Sequence, residues 1–218
     1  AEIEYHDHIS TTIFARFPII KSPNNILTGH EIIIWTTTPW TMPGNRAVAY
    51  GKDIDYSLLE ISSVEESSLA KLGDKILIAS DLLEDVINEL SIIDYKISNK
   101  LKGSELKDSI LAHPLHKYGY DHDVLLLEAD FVTTDQGTGF VHIAPGHGSD
   151  DFELGKKNNL PIPETVSDNG ILDDNLPLLG GLRVLKDNEK IADIMSEHGA
   201  LIGRGTLKHS YPHSWRSK

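Results

Sequence analysis

The sequence contains no cysteine, so neither a disulfide nor a thiolate zinc site is available to it. This absence fits a reducing compartment, and we expect the cytoplasm. Long apolar runs are missing too, because no stretch approaches the roughly 18 residues that span a bilayer. The residues after Ala1 also lack a signal-peptide pattern. We therefore expect a soluble chain that does not enter a membrane.

Positive charge is scarce as well. The chain has 20 Lys and Arg against 33 Asp and Glu, which gives a formal net charge of −13. Proteins that follow a phosphate backbone draw their affinity from clustered Lys and Arg. Any contact with nucleic acid is therefore expected to be small and local.

The length sets the domain organisation that we expect. With 218 residues, 39% of them hydrophobic, the chain can bury one core. Its first residue is Ala1 rather than Met, and its last residues, HSWRSK, look like an interrupted sequence. We predict that residues 1–218 form a single, monomeric domain from a longer protein.

Segments rich in β-branched residues recur between Gly, Pro, Asn and Asp, and they predict strands. These segments are 11–17, 31–37, 47–50, 56–61, 75–79, 95–99, 124–131 and 139–144. Helical spacing is limited to SDLLEDVINEL, SDDFELGKKNN and KDNEKIADIMSEHG. We expect Ser80 or Asp81 to cap the first helix, Ser149 to cap the second, and Gly199 to end the third. Because strands outnumber helices, we predict a mainly β fold with peripheral helices (α+β), built on a β-barrel-like sheet.

Two familiar kinds of site find no support in the sequence. His6 and His8 share a strand face, but the proline in SYP argues against a helix that would bring His209 and His213 together. The segment GTGFVH at Gly137 lacks the third glycine of a dinucleotide-binding loop and continues as a strand where a helix should begin. We therefore expect no metal site and no nucleotide fingerprint.

The segment GTGFVHIAPGHGSDDFELG, residues 137–155, predicts a strand, a tight turn and a helix with acidic residues in its first turn. One interpretation is structural, since such carboxylates complement the helix dipole. The other notes that His142 and Asp151 flank one turn. A carboxylate at a helix N-terminus stays ionised and binds an ammonium group, while an imidazole at a strand end donates hydrogen bonds or fills space. Local features leave both interpretations open.

The segment WTTTPWTMPGN, residues 35–45, is open in the same way. In an extended chain Thr36 and Thr38 point to one face and Thr37 to the other, and Pro39 keeps Thr38 extended. An edge strand that ends at proline explains this composition. So does a rigid shelf of hydroxyls that holds water, ribose hydroxyls or an ester carbonyl.

Together, WTTTPWTMPGN and GTGFVHIAPGHGSDDF closely resemble the two signature segments of the editing domain inserted into isoleucyl-tRNA synthetases. Weaker similarity runs through YHDHIS, KGSEL, GGLRVLKDNEKI and HSYPHSWRSK. Valyl and leucyl enzymes have Thr-Thr-Arg-Pro at the threonine motif, whereas this chain has Thr38 before the proline and Trp40 after it. The resemblance is therefore to the isoleucyl enzymes, of bacterial type.

The resemblance implies hydrolysis of valine wrongly esterified to isoleucine tRNA, by direct attack of water and without a covalent intermediate. It implies that Asp151 binds the α-ammonium group and that His142 walls a pocket which admits valine and rejects isoleucine. It places the threonines around the terminal adenosine, the ester and the attacking water, with Asn45 supporting them. The implied catalytic residues are Thr36, Thr37, Thr38 and Asp151, and the implied substrate-binding residues are His142, Asn45, Trp35 and Thr41.

The resemblance also bears on cofactors and partners. The chain lacks the ATP-binding motifs of these synthetases, so we expect no cofactor in it, and ATP or zinc would belong to other parts of the parent enzyme. Ser214 and Ser217 stand where many relatives have Cys, which further weakens a zinc site. The expected partner is the 3′ end of isoleucine tRNA carrying valine, and valyl-adenylate is a second candidate substrate. The alternative is a noncatalytic module that binds the aminoacylated tRNA end or a free amino acid.

Overall fold

A computed structural model describes the backbone of residues 3–214 and the side chains of residues 9–208. Within these residues the strands are β1 (Ile3–Lys21), β2 (Glu31–Thr36), β3 (Ala47–Tyr50), β4 (Asp55–Val64), β5 (Lys75–Ala79), β6 (Ile92–Lys102), β7 (Ile110–Ala112), β8 (Asp123–Glu128), β9 (Phe140–Ile143) and β10 (Leu201–Ser214). The α-helices are α1 (Leu83–Glu89), α2 (Ser149–Lys157) and α3 (Asn188–Glu197). Short 3₁₀ helices lie at Asn25–Leu27, Pro39–Gly44, Ser80–Leu82, Gly103–Leu106 and His116–Tyr118.

The strands form one mixed sheet in the order β6, β4, β5, β2, β1, β7, β8, β3, β9, and β10 pairs with β1. The long β1 organises this order, because residues 13–18 pair with β2, while Ile19 and Lys21 pair with β7. The β2–β5 and β3–β8 pairs are parallel, and the other pairs are antiparallel. The mainly β prediction is confirmed.

The sheet curls so that the chain entering β9 meets β2 and β5. The Thr138 hydroxyl donates to the Ile33 carbonyl at 2.5 Å, and the Ala79 N–H donates to the Thr138 carbonyl at 2.8 Å. Gly139 follows with φ +83°, and a Cβ atom there would overlap the side chain of Ala79. Glycine therefore meets both needs at this crossing, a left-handed backbone and a close approach. The result is the expected barrel-like form.

The core lies inside this curl. Strand β2 carries three consecutive fully buried residues, Ile32 to Ile34, which is typical of a strand covered on both faces. Helix α3 contributes Ile191 and Met195 to the same core, in the spacing of one helical face.

The structure corrects several boundaries. Strand β2 ends at Thr36, and β8 ends at Glu128, short of the expected Phe131. The predicted cap of the second helix was wrong: Gly148 is its N-cap residue, because the backbone is already extended there, at φ −170° and ψ 151°, and no side chain caps it. The cap of the first helix was also wrong, since α1 begins at Leu83. The hydroxyl of Ser80 instead lies 2.7 Å from that of Ser57.

Three predicted boundaries are confirmed. Strands 47–50 and 75–79 have the predicted bounds, and Gly199, at φ +72°, follows the end of α3. No helix in the described part is long and apolar enough to cross a membrane. Among the described side chains, no cluster of His, Asp and Glu is arranged to hold a metal ion. The side chains of His6, His8, His209 and His213 lie outside those described.

A nearly buried arginine of β1, Arg16, ties this strand to the segments around it. Arg16 donates to the Leu201 and Leu69 carbonyls and forms ion pairs with Glu31 at 2.9 Å and Asp74 at 3.0 Å. Removing the cation would leave two half-buried carboxylates without their partner, which is far more costly than losing an exposed ion pair.

We therefore expect Arg16→Met to lower the free energy of unfolding by about 3 kcal/mol, as measured by urea denaturation. The matched control is Lys102→Met, because the ion pair of Lys102 with Asp55 is exposed on both sides and solvent screens it, so its loss should change the free energy of unfolding little. Equal losses in the two variants would show that the Arg16 network does not stabilise the sheet.

Candidate functional site

Sheet pairing brings the two signature segments side by side. The threonine segment leads through the 3₁₀ helix Pro39–Gly44 into β3, and β3 pairs with β9, so that Val48 lies opposite His142. A cavity of about 240 Å³ opens where the two segments meet. Its lining residues are Trp35, Thr36, Thr38, Thr41, Val141, His142, Ala144, His147 and Asp151.

Two residues implied by the resemblance, Thr37 and Asn45, do not line this cavity. Thr37 lies in the bend between Thr36 and Thr38, outside the contact that their two hydroxyls make with each other. Asn45 is fully buried behind His142. The structure thus places the remaining implied residues together around one space, with Asn45 as their support from behind.

The threonines form a turn held by their own hydroxyls. The Thr36 hydroxyl accepts the Thr38 N–H at 3.1 Å and also lies 3.1 Å from the Thr38 hydroxyl. The Thr38 carbonyl then accepts both the N–H and the hydroxyl of Thr41. Such side-chain hydrogen bonds replace the strand ladder, so β2 ends at Thr36 and the chain bends into the 3₁₀ helix that begins at Pro39.

His142 is held at both ring nitrogens. Its Nε2 lies 2.8 Å from the Thr41 hydroxyl, and its Nδ1 lies 2.7 Å from Nδ2 of Asn45. The Asn45 amide donates to the Ala47 carbonyl as well, and the Thr41 hydroxyl donates to the Thr38 carbonyl. This pattern requires a neutral imidazole that accepts at Nδ1 and donates from Nε2. Burial lowers the pKa of His142 to about 3, and His147 acts in the same direction.

Asp151 lies in the first turn of α2 and lines the same cavity. One carboxylate oxygen accepts the Ala144 N–H at 2.8 Å, which ties the helix start to the end of β9. Burial raises the pKa of Asp151, although the Ala144 hydrogen bond opposes that rise. Such a half-buried carboxylate gains from a cationic partner, so it is suited to an ammonium group.

His147 also lines the cavity, although it was not among the predicted site residues. It lies in the turn before α2, where its N–H donates to the Ala144 carbonyl at 2.9 Å. Its ring packs edge-on against Trp40, with ring centroids 5.1 Å apart, and its Nε2 lies 2.9 Å from the hydroxyl of Thr165. Burial lowers its pKa, while Asp151 opposes the shift. The only sequence signal was its position between His142 and Asp151, where Ser149 and Asp150 are polar as well.

His113 supports the site from outside the two segments. Its ring is fully buried, Nε2 donates to the Met42 carbonyl at 2.8 Å, and Nδ1 accepts the Leu115 N–H at 3.0 Å. Burial lowers its pKa to about 3. The imidazole thus holds the 3₁₀ helix of the threonine segment in place as a neutral group.

These neutral histidines make the fold sensitive to acid. The unfolded chain takes up a proton at each histidine below its usual pKa of about 6.5, whereas folded His113 and His142 stay neutral to about pH 3. The contribution of these two histidines to the free energy of unfolding is therefore fully present above pH 6.5. It should fall by about 1.4 kcal/mol per pH unit for each of them as the pH drops toward 4.

Urea denaturation between pH 7 and pH 4.5 checks this expectation. His142→Gln removes one of the two groups and should make the slope shallower by about 1.4 kcal/mol per pH unit. A stability that stays constant from pH 7 to pH 4.5 would contradict the neutral state of these histidines in the folded chain.

A larger cavity, of about 580 Å³, lies between the loop after β8 and the outer face of α2. Glu128, Asp130, Asp150 and Glu153 line it, and none of the residues implied by the resemblance does. The smaller cavity is therefore the candidate site, because chemically distinct groups from separate segments converge there.

Comparison with known proteins supports the resemblance. The isoleucine–tRNA ligase of Gluconobacter oxydans is 46% identical over 231 aligned positions, and that of Pelagibacter ubique is 46% identical over 218. The enzyme of Bacillus cereus (strain AH187) is 42% identical over 219. Each alignment covers 100% of this chain, which spans only 24%, 24% and 22% of the three relatives. No protein-family model matches the chain.

Solved structures share the fold at low sequence identity. GlLeuRS-CP1 superposes with a TM-score of 0.66 at 13% identity, covering 93% of this chain and 100% of that one. The editing domain of the P. falciparum cytosolic leucyl-tRNA synthetase gives 0.51 at 14% identity, covering 69% and 67%. The predicted architecture and the resemblance to isoleucyl enzymes are both confirmed.

Proposed function

We propose that this chain hydrolyses valine from mischarged isoleucine tRNA. Its whole length is homologous to a segment of the isoleucine–tRNA ligases, and it folds like leucyl-tRNA synthetase editing domains. The observation that carries the proposal is the convergence of Thr36, Thr38, His142 and Asp151 on one small cavity. These residues come from segments far apart in the sequence. Their polarity matches an aminoacyl ester, which has an ammonium group, a carbonyl and a short side chain.

Each side of the cavity has a part in this reaction. Asp151 pairs with the α-ammonium group, and the hydroxyls of Thr36 and Thr38, 3.1 Å apart, hold the ester carbonyl or the attacking water. Water attacks directly and no covalent intermediate forms, because the hydroxyls of Thr36 and Thr38 bond each other and that of Thr41 bonds the Thr38 carbonyl, so none of the three is paired with a base that would activate it as a nucleophile. Positioning of the ester and oriented dipoles supply most of the rate.

His142 gives the site its selectivity. In an apolar pocket one methylene is worth only about 1 to 3 kcal/mol, a figure established on isoleucyl and valyl selection itself, so a second site is needed to remove errors. A ring held at both nitrogens by Asn45 and Thr41 cannot swing aside to admit a larger side chain. The second site thus works by exclusion of isoleucine.

The partner that fits this site is the 3′ end of isoleucine tRNA. The net charge of −13 leaves little cationic surface for the rest of the tRNA, so we assign those contacts to other parts of the parent enzyme. ATP and amino-acid activation belong there as well. The same cavity would take the valyl group of valyl-adenylate. We further propose that the domain acts as a monomer in the cytoplasm.

A nonhydrolysable valyl-adenosine analogue tests the proposed placement. When it is added to the chain, we expect its ammonium group within about 3 Å of Asp151 and its carbonyl beside the threonine hydroxyls, in a crystal structure. Seating in the larger acidic cavity, or no binding at millimolar analogue, would count against the proposal. Binding together with no release of valine from valyl-tRNA would instead favour a noncatalytic module.

A further inference from the structure

The proposed reaction needs a group that accepts a proton from the attacking water, and the threonine hydroxyls are too weakly basic for this. We infer that His147 is that group, acting through its Nδ1 atom. This inference rests on the proposed function, since it names the base for the same ester hydrolysis. It follows from the hydrogen bonds around the cavity.

The other two titratable residues of the lining are already committed. His142 has both ring nitrogens bonded, to Thr41 and to Asn45, and it stays neutral with its accepting nitrogen turned toward the buried amide. Asp151 accepts the Ala144 N–H and pairs with the substrate ammonium. Neither is suited to take a proton from water while the ester is bound, because His142 has no free ring nitrogen and the bound ammonium group makes the Asp151 carboxylate a weaker base.

His147 is differently placed. Its Nε2 bonds the Thr165 hydroxyl, while its Nδ1 has no hydrogen-bond partner among the described residues. Thr165 is buried, with 2% exposure, so Nε2 has a fixed partner on the side away from the solvent. The edge-on contact with Trp40 and the backbone bond to Ala144 fix the ring further. The imidazole is thus oriented by one nitrogen and available at the other.

The charges around His147 favour its neutral form at physiological pH. Burial lowers its pKa below the usual value. Asp151, from α2, is the carboxylate that opposes this shift, and His142, from β9, is a neutral neighbour. A base whose pKa is lowered in this way is neutral at physiological pH and free to accept a proton.

The position also suits the reaction. In an aminoacyl group the ammonium nitrogen and the carbonyl carbon are both bonded to Cα, so they lie only about 2.5 Å apart. An ester held at Asp151 therefore presents its carbonyl carbon inside the small cavity that His147 lines. A water beside that carbon lies in the same cavity as the hydroxyls of Thr36 and Thr38 and the imidazole of His147.

The water oxygen bonds to the carbonyl carbon while its proton passes to Nδ1 of His147, giving a tetrahedral intermediate and an imidazolium. The bond from carbon to the ribose oxygen then breaks, and the imidazolium returns the proton to that oxygen. The products are free valine and tRNA with a free ribose hydroxyl, and the imidazole is neutral again.

The test is single-turnover deacylation of valyl-tRNA by the 218-residue chain, from pH 5 to pH 8.5. The rate of the unaltered chain should fall as the pH drops through the pKa of His147. His147→Gln keeps a hydrogen-bond donor toward Thr165 and should deacylate valyl-tRNA about 100-fold more slowly or worse at pH 7. In its pH profile, the fall in rate at low pH should come from protonation of Asp151 alone. Thermal unfolding and binding of the valyl-adenosine analogue confirm that the variant is folded and occupied.

Two further variants separate a base from a structural role. Added imidazole should restore deacylation in His147→Ala, because it replaces the missing base, and should not speed the unaltered chain. Thr165→Val loses only the hydrogen bond that orients the ring, so its rate should fall less than that of His147→Gln. Its pH profile should still show the fall in rate that comes from protonation of His147. If the unaltered chain hydrolyses valyl-tRNA and His147→Gln matches it in rate and pH profile, the inference is wrong while the proposed function stands. If the unaltered chain releases no valine, both fall.

Discussion

Replacing Asp151 with asparagine should lower kcat/KM for release of valine from valyl-tRNA by about 30- to 4,000-fold at pH 7. An asparagine oxygen still accepts the Ala144 N–H, which Asp151 accepts at 2.8 Å, so the helix start keeps its tie to β9. A neutral amide cannot pair with an ammonium group, and removing one member of such a charge pair costs about 2 to 5 kcal/mol, at about 1.4 kcal/mol per tenfold. Single-turnover deacylation measures the loss.

Asp150→Asn is the matched control. Asp150 stands in the same first turn of α2 but is exposed and does not line the site cavity. An exposed charge contributes at most about 1 kcal/mol, so this variant should stay within about fivefold of the unaltered rate. Equal losses at both positions would point to a general effect of charge near the helix N-terminus and against a specific ammonium site.

The stability of Asp151→Asn separates loss of binding from loss of fold. Burial raises the pKa of Asp151 in the folded chain, so the folded state holds that proton more tightly than the unfolded state does. This contribution favours folding at low pH and is lost as the pH rises through the folded pKa, which leaves a destabilising charge at pH 7. The asparagine variant should therefore melt at the same temperature as the unaltered chain or higher.

Replacing His142 with alanine should open the site to the correctly charged tRNA. The imidazole is held between Thr41 and Asn45, so it forms a fixed wall of the cavity. Without it, the extra methylene of isoleucine no longer clashes, and release of isoleucine from isoleucyl-tRNA should rise by about 10- to 200-fold. Release of valine should continue, because Asp151 and the threonines remain.

His142→Gln separates size from chemistry in this experiment. Glutamine cannot reproduce the hydrogen bonds of the imidazole, but it fills a similar volume. Because the volume is kept, the variant should still reject isoleucine. If His142→Ala leaves isoleucyl-tRNA intact, His142 does not set the size limit. If both variants attack it equally, the wall depends on the hydrogen bonds of the ring rather than on its bulk.

The sequence predicted the central strands because their residues need no distant partner to be recognised. β3 and β5 are short apolar runs between turn residues, and both have the predicted bounds. The N-terminal half of β1 and almost all of β10 were not predicted. Their sequences are polar, and β10 contains Gly203, Gly205 and Pro212, yet each pairs with the other along most of its length. These strands form because β1 and β10 pair with each other. The β-propensity of the local sequence carries no information about such pairing between distant segments.

The candidate site shows the same division. The spacing of His142 and Asp151 around one turn predicted that they face a common space, and alternation predicted that Thr36 and Thr38 share a face. The supporting residues were beyond reach. His113 bonds the Met42 carbonyl and His147 bonds Thr165, and neither contact has a periodicity or motif in the sequence. These contacts exist only once the sheet has curled and the chain after α2 has packed back onto it.

The most direct test of the account is a comparison of two esters under identical conditions. The 218-residue chain, in excess over tRNA at pH 7, is mixed with valyl-tRNA and with isoleucyl-tRNA, both on isoleucine tRNA, and release of the free amino acid is followed. We expect valine to be released about 100-fold faster than in buffer or more, and isoleucine at close to the buffer rate. Equal release of both amino acids, or no acceleration for valine, would contradict the account.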